Sequence, residues 1–192
     1  MNIGIFSGSF NPIHLGHTSL AQYICTHCNL DEVWLMVSPN NPLKDKSALW
    51  DENLRLRLAR VATRDLPRII PSDFEFHLPR PSYTVDTLKQ LTSAYPCHTF
   101  SLIIGSDNLT IFNQWKDYNY ILLHYPVIVY PRKGDNIAAL KTLYPQITIL
   151  EHAPEFDVSS TMIRQKLMAG ESIDKWVDTE VNNILIKEYL QD

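Results

Sequence analysis

The sequence predicts an α/β fold: a doubly wound parallel sheet with helices on both faces, in a single domain spanning residues 1–192. Three observations carry this. Apolar, β-branched runs recur with helical stretches between them, as parallel strands joined by right-handed crossovers require. Thr99–Ile104 ("TFSLII") is an apolar run of the kind expected of a strand buried on both faces. The first run is followed at once by the turn "GSFNPIHLGH" (Gly8–His17). In open α/β sheets ligands bind beyond the carboxyl ends of the strands, which is where this turn would sit.

The elements follow in order. Ile3–Phe6 is the first strand and Thr18–Cys28 the first helix. Val33–Val37 ("VWLMV") is the second strand. Asp51–Thr63 is a helix with acids at its start and Leu54, Leu58 and Val61 at i, i+4 and i+7. Arg68–Phe76 contains a third strand that Pro71 keeps short. Thr84–Ala94 is helical, with Val85, Leu88 and Leu91 on one side, and leads to the strand Thr99–Ile104. Val127–Tyr130 and Ile147–Leu150 complete the strands, with a short helix at Ile137–Leu143 between them. Ser159–Ala169 is a helix stopped by Gly170, and a last helix covers Thr179–Leu190. There are no repeats, linkers or low-complexity tracts.

Composition excludes several classes. No apolar run reaches membrane-spanning length, and the start of the chain lacks the pattern of a secretory signal, so a cytoplasmic protein is expected. The net charge of −4 argues against a broad basic surface for nucleic acid. Three cysteines, Cys25, Cys28 and Cys97, make no disulfide framework. Cys25 and Cys28 form a C-x-x-C that could serve zinc or redox chemistry. Small side chains packed on a helix face are the simpler reading.

The turn after the first strand holds the chemistry. Gly8 would let the backbone approach a ligand and take unusual angles, and Pro12 stiffens the connection. N–H groups in such a turn and in the first turn of the next helix attract anions. His14 and His17, three apart, would present two imidazole donors to one point, suited to phosphate oxygens that gain charge during transfer. The alternatives are histidines acting as caps or surface groups, or a zinc pair, for which no third ligand is evident.

"GSFNPIHLGH" resembles the G-x-F-x-P-x-H-x-G-H signature of the nucleotidylyltransferase superfamily, whose fold is Rossmann-like. "VSSTMIR" (Val158–Arg164) resembles that superfamily's I-S-S-T-x-I-R signature. Ser159, Ser160 and Thr161 are capping residues at a helix start, and with Arg164 they could hold the outer phosphates of a triphosphate. "PNNPLK" (Pro39–Lys44), "SYTVDTL" (Ser82–Leu88), "IGSDNLTIFNQW" (Ile104–Trp115) and "VYPRKG" (Val129–Gly134) narrow the resemblance to the bacterial nicotinate mononucleotide adenylyltransferases of NAD biosynthesis. It covers essentially the whole chain.

That resemblance implies ATP and nicotinate mononucleotide as substrates. Gly8, Ser9, Phe10, His17, Gly105, Asp107, Ser159, Ser160, Thr161 and Arg164 would bind ATP. Asn40, Thr84, Trp115, Lys116 and Arg132 would bind the mononucleotide, with its ring on the indole and its carboxylate on backbone N–H groups near Thr84 and Lys116. Catalysis would rest on His14, His17, Lys44 and Arg164. Mg²⁺ would travel with the ATP phosphates, with no acidic cluster to cage it, and relatives are often homodimers. Trp115 alone could be a core residue, Asp107 a helix cap and Lys44 a surface cation. Asn11 stands where an acid is usual, Leu43 where a histidine is common, and Ser7 where glycine is frequent. The alternatives are an adenylyltransferase for nicotinamide mononucleotide or phosphopantetheine, and a nucleotide-binding relative without turnover. A class I synthetase fragment is a third, for which the chain is too short and lacks a K-M-S-K-S-like loop.

Overall fold

Six strands form one parallel sheet in the order β3-β2-β1-β4-β5-β6. The computed structural model describes residues 1–39 and 49–189. The strands are β1 (Asn2–Gly8), β2 (Glu32–Val37), β3 (Ile69–Ser72), β4 (Thr99–Gly105), β5 (Val127–Tyr130) and β6 (Thr148–Ile149). The helices are α1 (Leu15–His27), α2 (Glu52–Ala62), α3 (Thr84–Ala94), α4 (Ser106–Leu109), α5 (Tyr118–His124), α6 (Ile137–Leu143), α7 (Ser160–Met168) and α8 (Thr179–Tyr189). Short 3₁₀ turns cover Phe74–His77 and Phe112–Gln114.

The chain winds outward from β1 through β2 to β3, then returns to lay β4 against β1's other edge. This makes β1 and β4 the switch point, where a crevice opens beyond the strand ends. Gly8 and Gly105 are the last residues of those two strands. Period-two alternation splits the core between the faces. Phe6, Leu35 and Ile103 pack with α1, α2, α7 and α8. Ile5, Met36, Leu102 and Ile104 pack with α3, α5 and α6. The central strands β1, β2, β4 and β5 are therefore largely buried on both sides and read as near-continuous apolar runs, while the edge strands β3 and β6 are only partly buried.

Several boundaries differ from the sequence reading. β1 runs two residues further than Ile3–Phe6, so the turn motif begins on the strand itself. The first helix starts at Leu15 rather than Thr18, because His14 takes the N-cap position and Gly16 is inside the helix. Leu150 falls outside the last strand, which is reduced to Thr148–Ile149. Leu190, assigned to the last helix, lies outside the described residues. α5 was not anticipated from its seven residues "YNYILLH". In α2 the buried face is Arg55, Leu56, Leu58 and Ala59, with Leu54 and Val61 at its margins. Asp51 caps this helix, accepting from the N–H groups of Asn53 and Leu54 at 2.9 and 3.1 Å.

Candidate active site

The turn motif is held as a rigid loop on top of β1. Phe10 has φ of 43°, a conformation that costs a bulky residue energy and must be held by its surroundings. Its ring is buried, edge-on to Phe6 at 5.8 Å and to His17 at 5.1 Å. The same ring explains Gly8: a Cβ there would stand 3.0 Å from Phe10 Cζ. The left-handed angle thus belongs to Phe10, and Gly8 is small because an aromatic ring lies over it. Phe10 is a packing residue, its ring buried against Phe6 and His17.

The two histidines stack, with ring centroids 3.6 Å apart. The backbone N–H of His14 donates to His17 Nδ1 at 3.3 Å. A neutral His17 ring therefore carries its proton on Nε2. His14 is buried, and burial, reinforced by the positive charge of Arg132, lowers its pKa to about 4. It is neutral at pH 7 and can supply one N–H.

The second motif docks onto the first. The hydroxyl of Ser160 donates to the Pro12 carbonyl at 2.9 Å, and Arg164 Nη1 donates to the Asn11 carbonyl at 2.7 Å. Ser159 caps α7 by accepting from Met162 N–H at 3.2 Å, and Thr161 Oγ1 accepts from Arg164 Nη2 at 3.3 Å. Gly16 permits the approach: a Cβ would meet Val158 Cγ1 at 2.9 Å and Phe156 Cβ at 3.1 Å. The glycine between the histidines is where the two motifs touch. Asn11 gains a role as well, since its Oδ1 accepts from Trp50 N–H at 3.1 Å. An amide oxygen can accept that bond, though without the charge assistance a carboxylate would add.

Beneath the loop lies Arg55, fully buried, which the sequence did not flag. It donates to four carbonyls: Trp50 at 2.9 Å, Ser9 at 2.6 Å, Ser38 at 2.8 Å and Pro39 at 3.4 Å. Burial lowers its pKa, yet a guanidinium stays charged. Arg55 and Arg164 thus grip the carbonyls of Ser9 and Asn11 from two sides and leave positive potential at the loop, which favours an anion.

A cavity of about 320 Å³ opens at the switch point. Gly8 and Ser9 line it from the end of β1, and Gly105 and Asp107 from the end of β4. Thr84, Trp115 and Lys116 line its other wall. Phe112 backs Trp115 at 5.1 Å. Lys116 Nζ reaches Asp86 at 2.8 Å and lies 4.9 Å from the Tyr83 ring, which ties its side chain to the start of α3. That hydrogen bond also raises the Lys116 pKa. Asp107 pairs with Arg132 Nε at 3.3 Å, and both are more than half exposed, so the pair is weak and open to exchange with a ligand. Gly105 permits this geometry, because a Cβ would fall 2.3 Å from Asp107 Oδ1.

Seven of the residues selected from the sequence therefore share one cavity. His14, His17, Arg132 and the α7 residues stand beside it, connected through Phe10, Asp107 and the 9–12 loop. Asn40 and Lys44, with Leu43, lie outside the described residues. Besides Arg55, the sequence reading missed Ser38, Glu75 and Tyr130, all lining the cavity. Tyr130 is buried, which pushes its phenol pKa up. Among the described residues no group of three or more His, Cys, Asp or Glu side chains is placed to hold a metal ion, and no helix is long and apolar enough to cross a membrane. Cys25 is buried, Cys28 half-buried and Cys97 exposed, and all three are free thiols. Burial raises the pKa of Cys25 and of Cys28.

The cytidylyltransferase-like family model matches residues 5–166. A protein of Bacteroides thetaiotaomicron named "Probable nicotinate-nucleotide adenylyltransferase" is 47% identical over 191 residues, covering 100% of this chain and 93% of that protein. One of the same name from Bacteroides fragilis is 46% identical, covering 96% and 91%. A solved structure titled "Plasmodium falciparum nicotinic acid mononucleotide adenylyltransferase complexed with NaAD" superposes with a TM-score of 0.80 at 20% identity, covering 98% of this chain and 95% of that one. At that identity the superposition speaks for the fold.

Proposed function

The chain belongs to the cytidylyltransferase-like family, and we propose that it transfers the adenylyl group of ATP to nicotinate mononucleotide, releasing pyrophosphate and forming nicotinate adenine dinucleotide in NAD biosynthesis. One observation carries the reading: the phosphate-type loop at the end of β1 and the Thr84–Trp115–Lys116 wall share a single cavity. A flat, charged heteroaromatic fits such a wall. Its ring takes the indole face, and its carboxylate takes backbone N–H groups near Thr84 and Lys116. Gly105 and Asp107 face the adenosine half, with Asp107 accepting from ribose hydroxyls in place of Arg132. Freed in this way, Arg132 can turn toward a phosphate, the role also given to Asn40.

The transfer is a direct displacement. The 5′-phosphate of the mononucleotide is already an anion at neutral pH and attacks the α-phosphorus of ATP without a general base. The Pα–O bond to the β-phosphate breaks, and pyrophosphate leaves. A neutral His14 suits this step, because the site has to donate hydrogen bonds to non-bridging oxygens and need not move protons. His17 offers Nε2–H, and His14 adds its single N–H. Gly8, Ser9 and Phe10 contribute backbone, and Ser159, Ser160 and Thr161 the N-terminus of α7. Arg164 and Lys44 offset charge on the transferring and leaving groups. Mg²⁺ would be held by the triphosphate and water, where it screens phosphate charge. Phosphorylated metabolites as substrates fit a cytoplasmic enzyme.

Purified protein given ATP and nicotinate mononucleotide is expected to form the dinucleotide and pyrophosphate in equal amounts. With nicotinamide mononucleotide kcat/KM should be lower by about tenfold or more, because the amide forfeits charge-assisted bonds. Failure to form any dinucleotide would refute the reading, and a preference for the amide would refute its acceptor.

A further inference from the structure

Glu75 is buried in the 3₁₀ turn after β3, and it lines the cavity. Three hydroxyls converge on it. Ser38 and Ser82 donate to Oε2 at 2.7 and 3.3 Å, and Thr87 donates to Oε1 at 3.1 Å. Burial pushes the Glu75 carboxyl pKa up, and the three hydroxyls pull it back.

The donors come from different places. Ser38 follows β2 and is itself fixed: its N–H donates to the Gly8 carbonyl at 2.9 Å, and its carbonyl accepts from Arg55. Ser82 and Thr87 flank the first turn of α3, which carries Thr84. That turn begins at Tyr83, which makes no side-chain cap hydrogen bond. The usual side-chain cap is absent, and the turn is anchored by the hydroxyl tether to Glu75. A fixed donor direction matters most to a carboxylate, whose bonds to N–H groups are charge-assisted and geometrically demanding.

We propose that Glu75 is a positioning residue that locks the first turn of α3 onto the end of β2, and so sets the preference of the acceptor pocket for an acid over an amide. This rests on the reading of the cavity as a nicotinate mononucleotide site. Glu75 acts through the hydroxyls of Ser82 and Thr87.

Glu75→Gln tests it, since an amide keeps the shape but cannot accept on both sides. With ATP saturating, kcat/KM is measured for nicotinate and for nicotinamide mononucleotide, alongside KM for ATP. The acid should lose about tenfold and the amide no more than about threefold, with KM for ATP within about twofold. Ser82→Ala should shift the acid-to-amide ratio in the same direction by less. An unchanged ratio, or equal losses for ATP and mononucleotide, would overturn the proposal, the second by marking Glu75 as general support. If Glu75→Gln fails to fold, Ser82→Ala and Thr87→Val carry the same readout. A wild-type protein that uses neither mononucleotide would remove the premise as well, and is told apart by that control.

Discussion

Replacing His17 with alanine is expected to lower kcat by about two to three orders of magnitude, the cost of deleting one preorganised donor to a developing charge. Thermal stability should change less than turnover, since the losses include a 3.3 Å capping bond and the ring contacts with His14 and Phe10, while the rest of the loop stays held by Arg55 and Arg164. KM values should change less than kcat, because the bond strengthens as charge builds on the transferring phosphate. His17→Gln, which keeps an N–H donor at similar reach on a more flexible arm, should recover part of the loss. An alanine variant with near-normal turnover would remove His17 from the reaction. A variant that melts far below the wild type would show a structural histidine instead.

The second large effect belongs to Arg55, and it falls on the fold. Arg55→Met removes the donors to the carbonyls of Ser9, Ser38, Trp50 and Pro39 and leaves them buried. Breaking a buried charged network of this kind costs about 3–5 kcal/mol. In a chain of this length that lowers the melting temperature by roughly 10 °C. Arg55→Lys keeps the charge but offers a compact ammonium in place of a planar fork, so it should recover less than half of the loss. Thermal unfolding by circular dichroism gives the answer. A shift under about 1 kcal/mol in Arg55→Met would mean that water replaces the guanidinium.

The two predictions differ in how readily the sequence announces them. The central strands were legible because both of their faces are largely buried, and the position of the cavity followed from the sheet's switch point. The histidines declared themselves through a motif. Arg55 did not, because its partners are backbone carbonyls, which leave no mark in a sequence, and because an arginine among leucines in α2 reads as solvent-facing. Glu75 was hidden for a different reason: its hydroxyl partners lie far apart in the sequence, after β2 and around the start of α3. Boundaries failed where polar chemistry replaces the apolar period. α1 begins on a histidine cap and runs through a glycine, and its first turn lacks an apolar stripe. Gly8 is a glycine for another reason than the expected backbone freedom: the ring of Phe10 lies over it, and the left-handed angle belongs to Phe10. Asn11, a departure from the usual acid, fits as an acceptor for Trp50 N–H and needs no charge to do so.

The claim at the centre is that the two signature motifs form one cradle in which phosphate attacks phosphorus directly, with histidines donating hydrogen bonds and forming no covalent link. The stereochemical course at the α-phosphorus tests this most directly. With a single diastereomer of ATP carrying sulfur at the α-phosphate, the dinucleotide product should show inverted configuration, read by ³¹P NMR. Retention would require two displacements through an adenylylated enzyme group and would contradict the account.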